Sequence, residues 1–291
     1  MAKQKKDSLG GVVSVLLAGS LWGIIGIFTR RMMAMGLSPY SIVAVRNLAG
    51  LALFTLVFAL TDRSVFRVRV RHLPWFFGTG IVSTLLYTLC YYSCQEICSL
   101  AVATVFMYTT PIFVVLLSAL LWRTPITGKK LLALALTVAG CALTCGLFSG
   151  KQTVTGIGVL LGLGSGFLYS LYTIFGRYAL DHYPSMTVTY WTYVFAALGS
   201  LFILRPGELS AGFAQPAMWL NAACMVAVCS MLPVALYTRG LVSVEPGRAS
   251  ILCSVELVVA CIVGILVFGE ALTILSAAGI LCVLAAVFIL R

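Results

Sequence analysis

Long apolar runs fill almost the whole chain, and short charged or Pro/Gly-containing segments separate them. A helix that crosses a bilayer needs about 20 apolar residues. The pattern predicts ten such helices, and only Gly269 and Glu270 separate the last two. The predicted spans are 11–33, 40–60, 73–94, 99–122, 130–148, 156–176, 186–204, 217–238, 247–268 and 271–290. We therefore expect an all-α membrane protein with ten transmembrane helices.

Composition excludes an ordinary soluble protein. Of the 291 residues, 61% are hydrophobic and 9% are charged, whereas soluble domains carry about 25% charged residues. Ten spans use about 200 residues, so the tails and connections are too short for an added soluble domain. The chain also lacks the GxxxxGK[ST] phosphate-binding pattern. We expect neither an enzyme nor an ATP-driven pump.

The net charge of +11 reflects membrane topology rather than nucleic-acid binding, because the basic residues lie between the apolar runs. If the N-terminus is cytoplasmic, the cytoplasmic segments hold Lys3, Lys5, Lys6, Arg63, Arg67, Arg69, Arg71, Arg123, Lys129, Lys130, Arg177, Arg239, Arg248 and Arg291. The outer segments hold only Arg30, Arg31, Lys151 and Arg205. The positive-inside rule then predicts a multi-pass protein of the cell (plasma or inner) membrane with both termini cytoplasmic.

No cofactor or metal site is expected. The ten cysteines lie mostly inside apolar runs, without a CxxC pair, and both histidines, His72 and His182, lie outside the spans. Cysteines in this setting are typical small packing residues.

The two halves of the chain resemble each other. Phe28-Thr29-Arg30 recurs as Phe175-Gly176-Arg177, Tyr91 and Tyr237 are 146 positions apart, and Trp122 to Thr127 aligns with Phe268 to Thr273 at the same offset. We expect a cytoplasmic tail at 1–10, a first five-helix repeat at 11–148, a linker at 149–155 and a second repeat at 156–290. Because five is odd, the second repeat must be inverted in the membrane.

These landmarks resemble the drug/metabolite transporter superfamily, specifically its EamA-like ten-helix branch. The residues that carry the resemblance are Leu21-Trp22-Gly23, Arg46, Thr109-Thr110-Pro111, Phe268 to Thr273 and Ala277-Ala278-Gly279. The resemblance implies an inner-membrane exporter of small metabolites with a central cavity between the halves. Arg123-Thr124 stands where the family often has Gly-Glu, and Glu256-Leu257 where Glu-Pro is usual. The second departure removes the proline kink expected in span nine.

Aromatic residues inside the spans are candidates for lining that cavity. Gly158, Gly162, Ser165, Tyr169, Tyr172 and Gly176 share one face of span six. The glycines suit close helix packing, and the phenol hydroxyls need polar partners at membrane depth. The candidate substrate-binding residues are Trp22, Tyr87, Tyr91, Tyr108, Tyr169, Tyr172, Tyr237 and Glu256.

Only Glu256 lies near the middle of a predicted span, and Arg46 lies one or two turns inside span two. Ala249, Cys253, Glu256, Ala260 and Gly264 recur at three and four residues, which predicts a small-residue face around the acid. Glu256 is either a coupling or cation-binding acid or a hydrogen-bonded packing residue. Arg46 is either functional or a snorkelling or ion-paired anchor.

The sequence favours a secondary active exporter of amino acids or related amphoteric compounds that works by alternating access, with protons as the candidate coupling ion. An organic-cation or drug efflux transporter is the alternative, because aromatic residues and Glu256 alone suit a cation. A channel is the further alternative. The expected partners are a small-molecule substrate and the lipid bilayer, with the protein as a monomer or weak dimer.

Overall fold

A computed structural model describes residues 9–98, 100–147 and 154–290. Every regular element in these residues is helical. The α-helices are α1 (Leu9–Gly23), α2 (Ile25–Ala34), α3 (Pro39–Thr61), α4 (Leu73–Phe77), α5 (Tyr87–Ile97), α6 (Leu100–Met107), α7 (Thr110–Trp122), α8 (Gly128–Thr144), α9 (Gly156–Leu180), α10 (Ser185–Ser200), α11 (Pro206–Phe213), α12 (Pro216–Val226), α13 (Leu232–Gly240), α14 (Pro246–Cys253), α15 (Val255–Phe268) and α16 (Ile274–Ile289). Short 3-10 turns at Arg63–Phe66 and Val70–His72 and π-helical segments at Gly78–Leu86 and Ala227–Met231 complete the set.

These helices form ten rods that match the ten predicted spans, so the all-α membrane fold is confirmed. Seven rods have the length and apolarity of membrane spans: Leu9–Ala34, Pro39–Thr61, Val70–Ile97, Val102–Trp122, Gly156–Leu180, Pro216–Gly240 and Pro246–Phe268. The other three, α8, α10 and α16, have 17, 16 and 16 residues. Helix α11 is an additional short helix in the connection between spans seven and eight.

Local backbone features recur in both repeats at the offset of 146 residues. Thr127 and Thr273 each cap the fifth helix of a repeat, by accepting hydrogen bonds from the backbone N–H groups of Lys130 (3.4 Å) and Ser276 (3.0 Å). A residue with positive φ ends the fourth span of each repeat, Arg123 at 54° and Gly269 at 66°. These pairs show that the two halves share one design, in opposite orientations because each has five spans.

The π-helical segments also lie at equivalent places, in spans three and eight. The Thr84 hydroxyl donates to the carbonyl of Thr79 at 2.8 Å, and the Ser230 hydroxyl donates to the carbonyl of Met225 at 3.3 Å. Both bonds reach back five residues, which matches the wider π-helical turn. Thr84 and Ser230 both face the cavity described below.

Spans four and nine are each broken in the middle. Span four is interrupted at Tyr108 and Thr109, and span nine at Ser254. Span nine thus lacks the proline kink, as the sequence indicates, but its helix is interrupted all the same. A tight turn replaces the proline: the Ser254 N–H bonds the carbonyl of Ile251 at 3.1 Å, three residues back rather than four.

Span one packs closely against the break in span nine, and this approach requires glycine. A Cβ atom at Gly19 would lie 2.6 Å from the carbonyl oxygen of Cys253. One at Gly23 would lie 2.6 Å from the carbonyl oxygen of Glu256. Any side chain here would push the first span away from span nine.

The two ends of the bundle differ. The end that carries the connection 62–72, with its exposed arginines, is called the basic end, and the other the opposite end. The largest apolar cluster contains Val15, Leu241, Ile251 and Leu252, each at most 1% exposed, and it fills the basic half between spans one, eight and nine. The bundle is therefore densely packed on that side.

At the opposite end, α11 is fixed to the start of span two by one carboxylate. Glu208 accepts hydrogen bonds from the Ser38 N–H (3.0 Å), the Ser38 hydroxyl (2.6 Å) and the Ser41 hydroxyl (2.7 Å). Arg205 adds a contact at 3.1 Å. These donors, chiefly the Ser38 and Ser41 hydroxyls, lower the pKa of Glu208 to about 2.

Candidate substrate cavity

A cavity of about 540 Å³ lies between the two repeats. It begins at Glu256 in span nine and extends to Arg30 and Met33 at the opposite end. Met33 is 49% exposed, and the side chain of Arg30 is 52% exposed, so the lining reaches the surface there. The volume lies within the range of about 300–1,000 Å³ that is typical of small-molecule sites.

Most of the candidate residues meet at this cavity. Six of the eight candidate substrate-binding residues and Arg46 line it. They are Trp22, Tyr87, Tyr91, Tyr169, Tyr172, Glu256 and Arg46. Tyr108 and Tyr237 instead line a smaller pocket of about 40 Å³.

The small pocket lies between the breaks in spans four and nine. Glu256, Trp22, Tyr169 and Tyr172 line both the pocket and the cavity, so the two compartments adjoin at these side chains. Tyr108 and Ser254, the residues at the two breaks, line the pocket alone. The predicted aromatic site is thus divided into a large and a small compartment.

The tyrosines differ in how their hydroxyls are satisfied. Tyr91 is 3.1 Å from the Thr104 hydroxyl, Tyr172 is 3.0 Å from that of Thr238, and Tyr237 is 2.9 Å from that of Thr173. These three are tied to neighbouring helices. Tyr237 is only 4% exposed, and its ring lies 5.6 Å from that of Trp22, so it is mainly a packing residue.

Tyr87 and Tyr169 form a stacked aromatic pair inside the cavity. Their ring centroids are 4.6 Å apart and their planes differ by 21°. The pair joins span three of the first repeat to span six of the second. Stacked rings of this kind offer an apolar face to a ligand and an attractive surface for a cation.

Arg46 and Glu256 place opposite charges in one cavity. In the part of the chain that the structure describes, neither side chain has an ion pair or hydrogen-bond partner. The interpretation of Arg46 as one half of a structural ion pair therefore finds no support among residues 9–98, 100–147 and 154–290. Tyr87, Tyr169 and Tyr193 share the cavity wall with the guanidinium.

Sequence reasoning missed part of the lining, which also includes Asn47, Tyr92, Thr192, Tyr193 and Ser230. Span seven contributes Thr192 and Tyr193, which are four and three residues before Ala196 on the same wall. That spacing was a usable signal. Conversely, Ala260 is exposed although Gly264 is buried, so the predicted small-residue face of span nine is interrupted after Glu256.

The basic end of the cavity is sealed. Helix α1 packs along α13, where a Cβ at Gly240 would meet the Val15 side chain. Lys130 Nζ lies 2.7 Å from both carboxylate oxygens of Glu245, which connects span five to the start of span nine. The structure therefore has one open end and one closed end.

Comparison with known proteins identifies the family of the chain. The model of the EamA-like transporter family matches residues 9–146 and again residues 156–291. The chain belongs to the EamA-like transporter family. The double match agrees with the two repeats in the fold.

Relatives of this EamA-like protein are also named as transporters. It is 27% identical over 279 residues to an uncharacterized transporter of Archaeoglobus fulgidus, covering 96% of this chain and 95% of that one. It is 26% identical over 290 residues to the uncharacterized inner membrane transporter YicL of Salmonella typhimurium, covering 96% and 94%. A solved crystal structure has the same fold, with a TM-score of 0.80 at 17% identity and coverage of 96% and 95%. The EamA-like chain is therefore a membrane transporter, and family and relatives indicate transport rather than catalysis.

Proposed function

We propose that this EamA-like transporter exports small amphoteric metabolites, such as amino acids, by alternating access. The observation that carries the proposal is the presence of Arg46 and Glu256, oppositely charged and unpaired within the described residues, in one cavity of about 540 Å³. Arg46 would bind the substrate carboxylate and Glu256 its ammonium group. The stacked pair of Tyr87 and Tyr169 would contact the apolar part.

The cost of these charges supports a binding role. A charge placed near the middle of a membrane helix costs at least roughly 2.5–3.5 kcal/mol. Glu256 would incur this cost without a protein partner, and Arg46, one or two turns inside span two, adds a second charge without a partner among the described residues, which is a large penalty for a purely structural purpose. A substrate that carries both opposite charges satisfies the two side chains together.

The asymmetry of the bundle supports alternating access. The opposite end is open to the cavity and the basic end is sealed by apolar packing. With the basic end in the cytoplasm, as the positive-inside rule predicts, this is an outward-facing arrangement. A secondary transporter must exchange it for one that is open at the basic end.

The same proposal includes the coupling of substrate transport to proton movement at Glu256. Glu256 lies where the two compartments meet and has no cationic side chain beside it within the described chain. A carboxylate in this position can hold a proton or a substrate ammonium group but not both. Exchange of one for the other would produce antiport.

The test is transport of a labelled metabolite panel in proteoliposomes, with and without a pH gradient. We expect gradient-driven transport of neutral amino acids, abolished in Glu256→Gln and reduced at least tenfold in Arg46→Gln. The exposed residues Arg31 and Asp181 provide matched controls, Arg31→Gln and Asp181→Asn, which should transport normally. Full proton-coupled accumulation in Glu256→Gln would contradict the coupling role.

The same variants distinguish transport of amphoteric metabolites from transport of organic cations. An organic cation would use the tyrosines and Glu256 but not Arg46. Transport of quaternary amines that is insensitive to Arg46→Gln, without transport of amino acids, would establish efflux of organic cations instead.

Orientation can be measured independently. Arg67 is exposed in the connection 62–72, whereas all native cysteines in the described residues are buried or partly buried. A cysteine introduced as Arg67→Cys should be protected from a membrane-impermeant thiol reagent in intact cells and modified after permeabilisation. Modification in intact cells would reverse the proposed orientation.

A further inference from the structure

The pocket of about 40 Å³ beside Glu256 has an unusual set of oxygen atoms. Tyr108 and Ser250 line it and are only 9% and 7% exposed. Neither hydroxyl has a hydrogen-bond partner among the described residues, and the same holds for the Tyr169 hydroxyl and the Glu256 carboxylate. Among the described residues, the fully buried side-chain oxygens without a partner are those of Ser118 and Thr189. The four oxygen-bearing groups named here are therefore open to the pocket or to the adjoining cavity, where a small ligand can contact them.

The size of the pocket limits the occupant. One water molecule needs about 10–15 Å³ of such space, so the pocket holds a few waters or a monatomic ion with a water. An amino acid does not fit. The organic substrate is accommodated by the adjoining large cavity, which leaves the small pocket for a different ligand.

The charge and chemistry of the pocket favour a cation over water alone. Carboxylate and hydroxyl oxygens are the ligands of hard metal ions. Water would satisfy the hydroxyl groups, but it would not neutralise the carboxylate of Glu256 in its ionised form inside the membrane. No group of three or more His, Cys, Asp or Glu side chains suited to a metal occurs in the described chain, so a divalent ion would lack the charge it requires.

We propose that the pocket formed by Glu256, Tyr108 and Ser250 is a binding site for sodium, a monovalent metal cation of the hard class that carboxylate and hydroxyl oxygens bind. This inference rests on the proposed function, because Glu256 also faces the substrate cavity. A sodium ion on the carboxylate occupies the position that a substrate ammonium group needs. Sodium and substrate therefore compete, and sodium can take the role of the proton in exchange.

The experiment uses the purified full-length protein without organic substrate, at one pH and constant ionic strength. Binding of radioactive sodium is measured directly, and the thermal unfolding midpoint is followed as N-methyl-D-glucamine chloride is replaced by sodium chloride. We expect saturable binding and a rise in the midpoint that saturates with it.

Variants assign the site. Glu256→Gln should abolish sodium binding and the rise in the midpoint. Ser250→Ala removes one small hydroxyl from the pocket, and Tyr108→Phe removes only an oxygen. Each should weaken sodium binding about tenfold or more, as loss of a single partner commonly does at metal sites. Asp181→Asn, which alters an exposed carboxylate at the basic end, should bind sodium like the wild type.

Two results would overturn the proposal. If wild-type protein has the same midpoint in both salts and binds no radioactive sodium, the pocket holds water only. If Ser250→Ala and Tyr108→Phe both bind sodium with unchanged affinity, any sodium site lies elsewhere. Because the assay contains no organic substrate, either failure leaves amphoteric transport standing, and failure of transport in proteoliposomes leaves sodium binding standing.

Discussion

The ion pair between Lys130 and Glu245 should hold the basic end of the transporter closed. Lys130 Nζ is 2.7 Å from both carboxylate oxygens and 2.9 Å from the carbonyl oxygen of Pro125, so all three of its N–H groups have acceptors. The two side chains are only 9% and 20% exposed. The pair joins the fifth helix of the first repeat to the fourth span of the second. At the equivalent positions of the opposite end the sequence has Ser276 and Ser99, which cannot form an ion pair.

Lys130→Met should therefore shift the balance between the two states. Removing one partner of a fully buried ion pair costs about 3–5 kcal/mol. The exposure of this pair to water reduces that value, and we expect about 2 kcal/mol against the closed basic end. Each 1.4 kcal/mol is a factor of ten, so the population open at the basic end should rise about 30-fold.

Thiol labelling measures this change. Val244 is 2% exposed in the apolar cluster of the basic end, and Val244→Cys can react only when that end opens. Val244→Cys should be labelled about 30-fold faster in the protein that also carries Lys130→Met than in the protein that retains Lys130. Labelling of the native cysteines is slow and is subtracted from both rates. The charge-swapped pair Lys130→Glu with Glu245→Lys is the control and should restore slow labelling. A rate within twofold of the Lys130 background in Lys130→Met would refute the role of the ion pair as a lock.

Three further outcomes follow from particular contacts. Arg123 has the left-handed backbone conformation that Gly269 has in the other repeat, so Arg123→Gly should raise the free energy of unfolding by about 1 kcal/mol. For the same reason Gly269→Ala should lower it, and thermal unfolding measures both changes. Because the pKa of Glu208 is lowered in the folded protein, its ionised carboxylate stabilises the fold fully above about pH 4.5. This contribution to stability is lost as the pH falls toward 2. The difference in unfolding midpoint between wild type and Glu208→Gln should thus be constant from pH 6 to 8 and shrink at pH 3. Tyr169→Ala should weaken substrate binding at nearly normal stability, whereas Tyr237→Ala should lower stability by about 3 kcal/mol, as binding and unfolding assays on the same preparations will show.

The spans and the repeat could be predicted from sequence because both depend on local information. Apolar length defines a span whatever its neighbours are, and the offset between Tyr91 and Tyr237 is visible in the chain itself. The tyrosine pattern of span six also placed Tyr169 and Tyr172 correctly on one wall, since α9 is a continuous helix.

The division of the site into two compartments could not be predicted in this way. The break at Ser254 has no proline to mark it, and helical spacing counted across it assigned Ala260 to the wrong face. Tyr108 and Tyr91 look alike in the sequence, but the break at the middle of span four directs Tyr108 into the small pocket. The side-chain oxygens that line the small pocket come from helices that are distant in the chain, so the sequence does not show which of them lie together.

The central claim is that Arg46 and Glu256 bind the two charged ends of one substrate, and a matrix of affinities tests it most directly. Binding of a transported amino acid, its methyl ester and its N-acetyl derivative is measured for wild type, Arg46→Gln and Glu256→Gln. The ester should bind the wild type at least tenfold more weakly than the amino acid, and Arg46→Gln should bind the two alike. The N-acetyl derivative should bind the wild type at least tenfold more weakly than the amino acid, and Glu256→Gln should bind these two ligands alike. Equal penalties for each derivative in all three proteins would mean that neither side chain contacts the charge assigned to it, and the account would be contradicted.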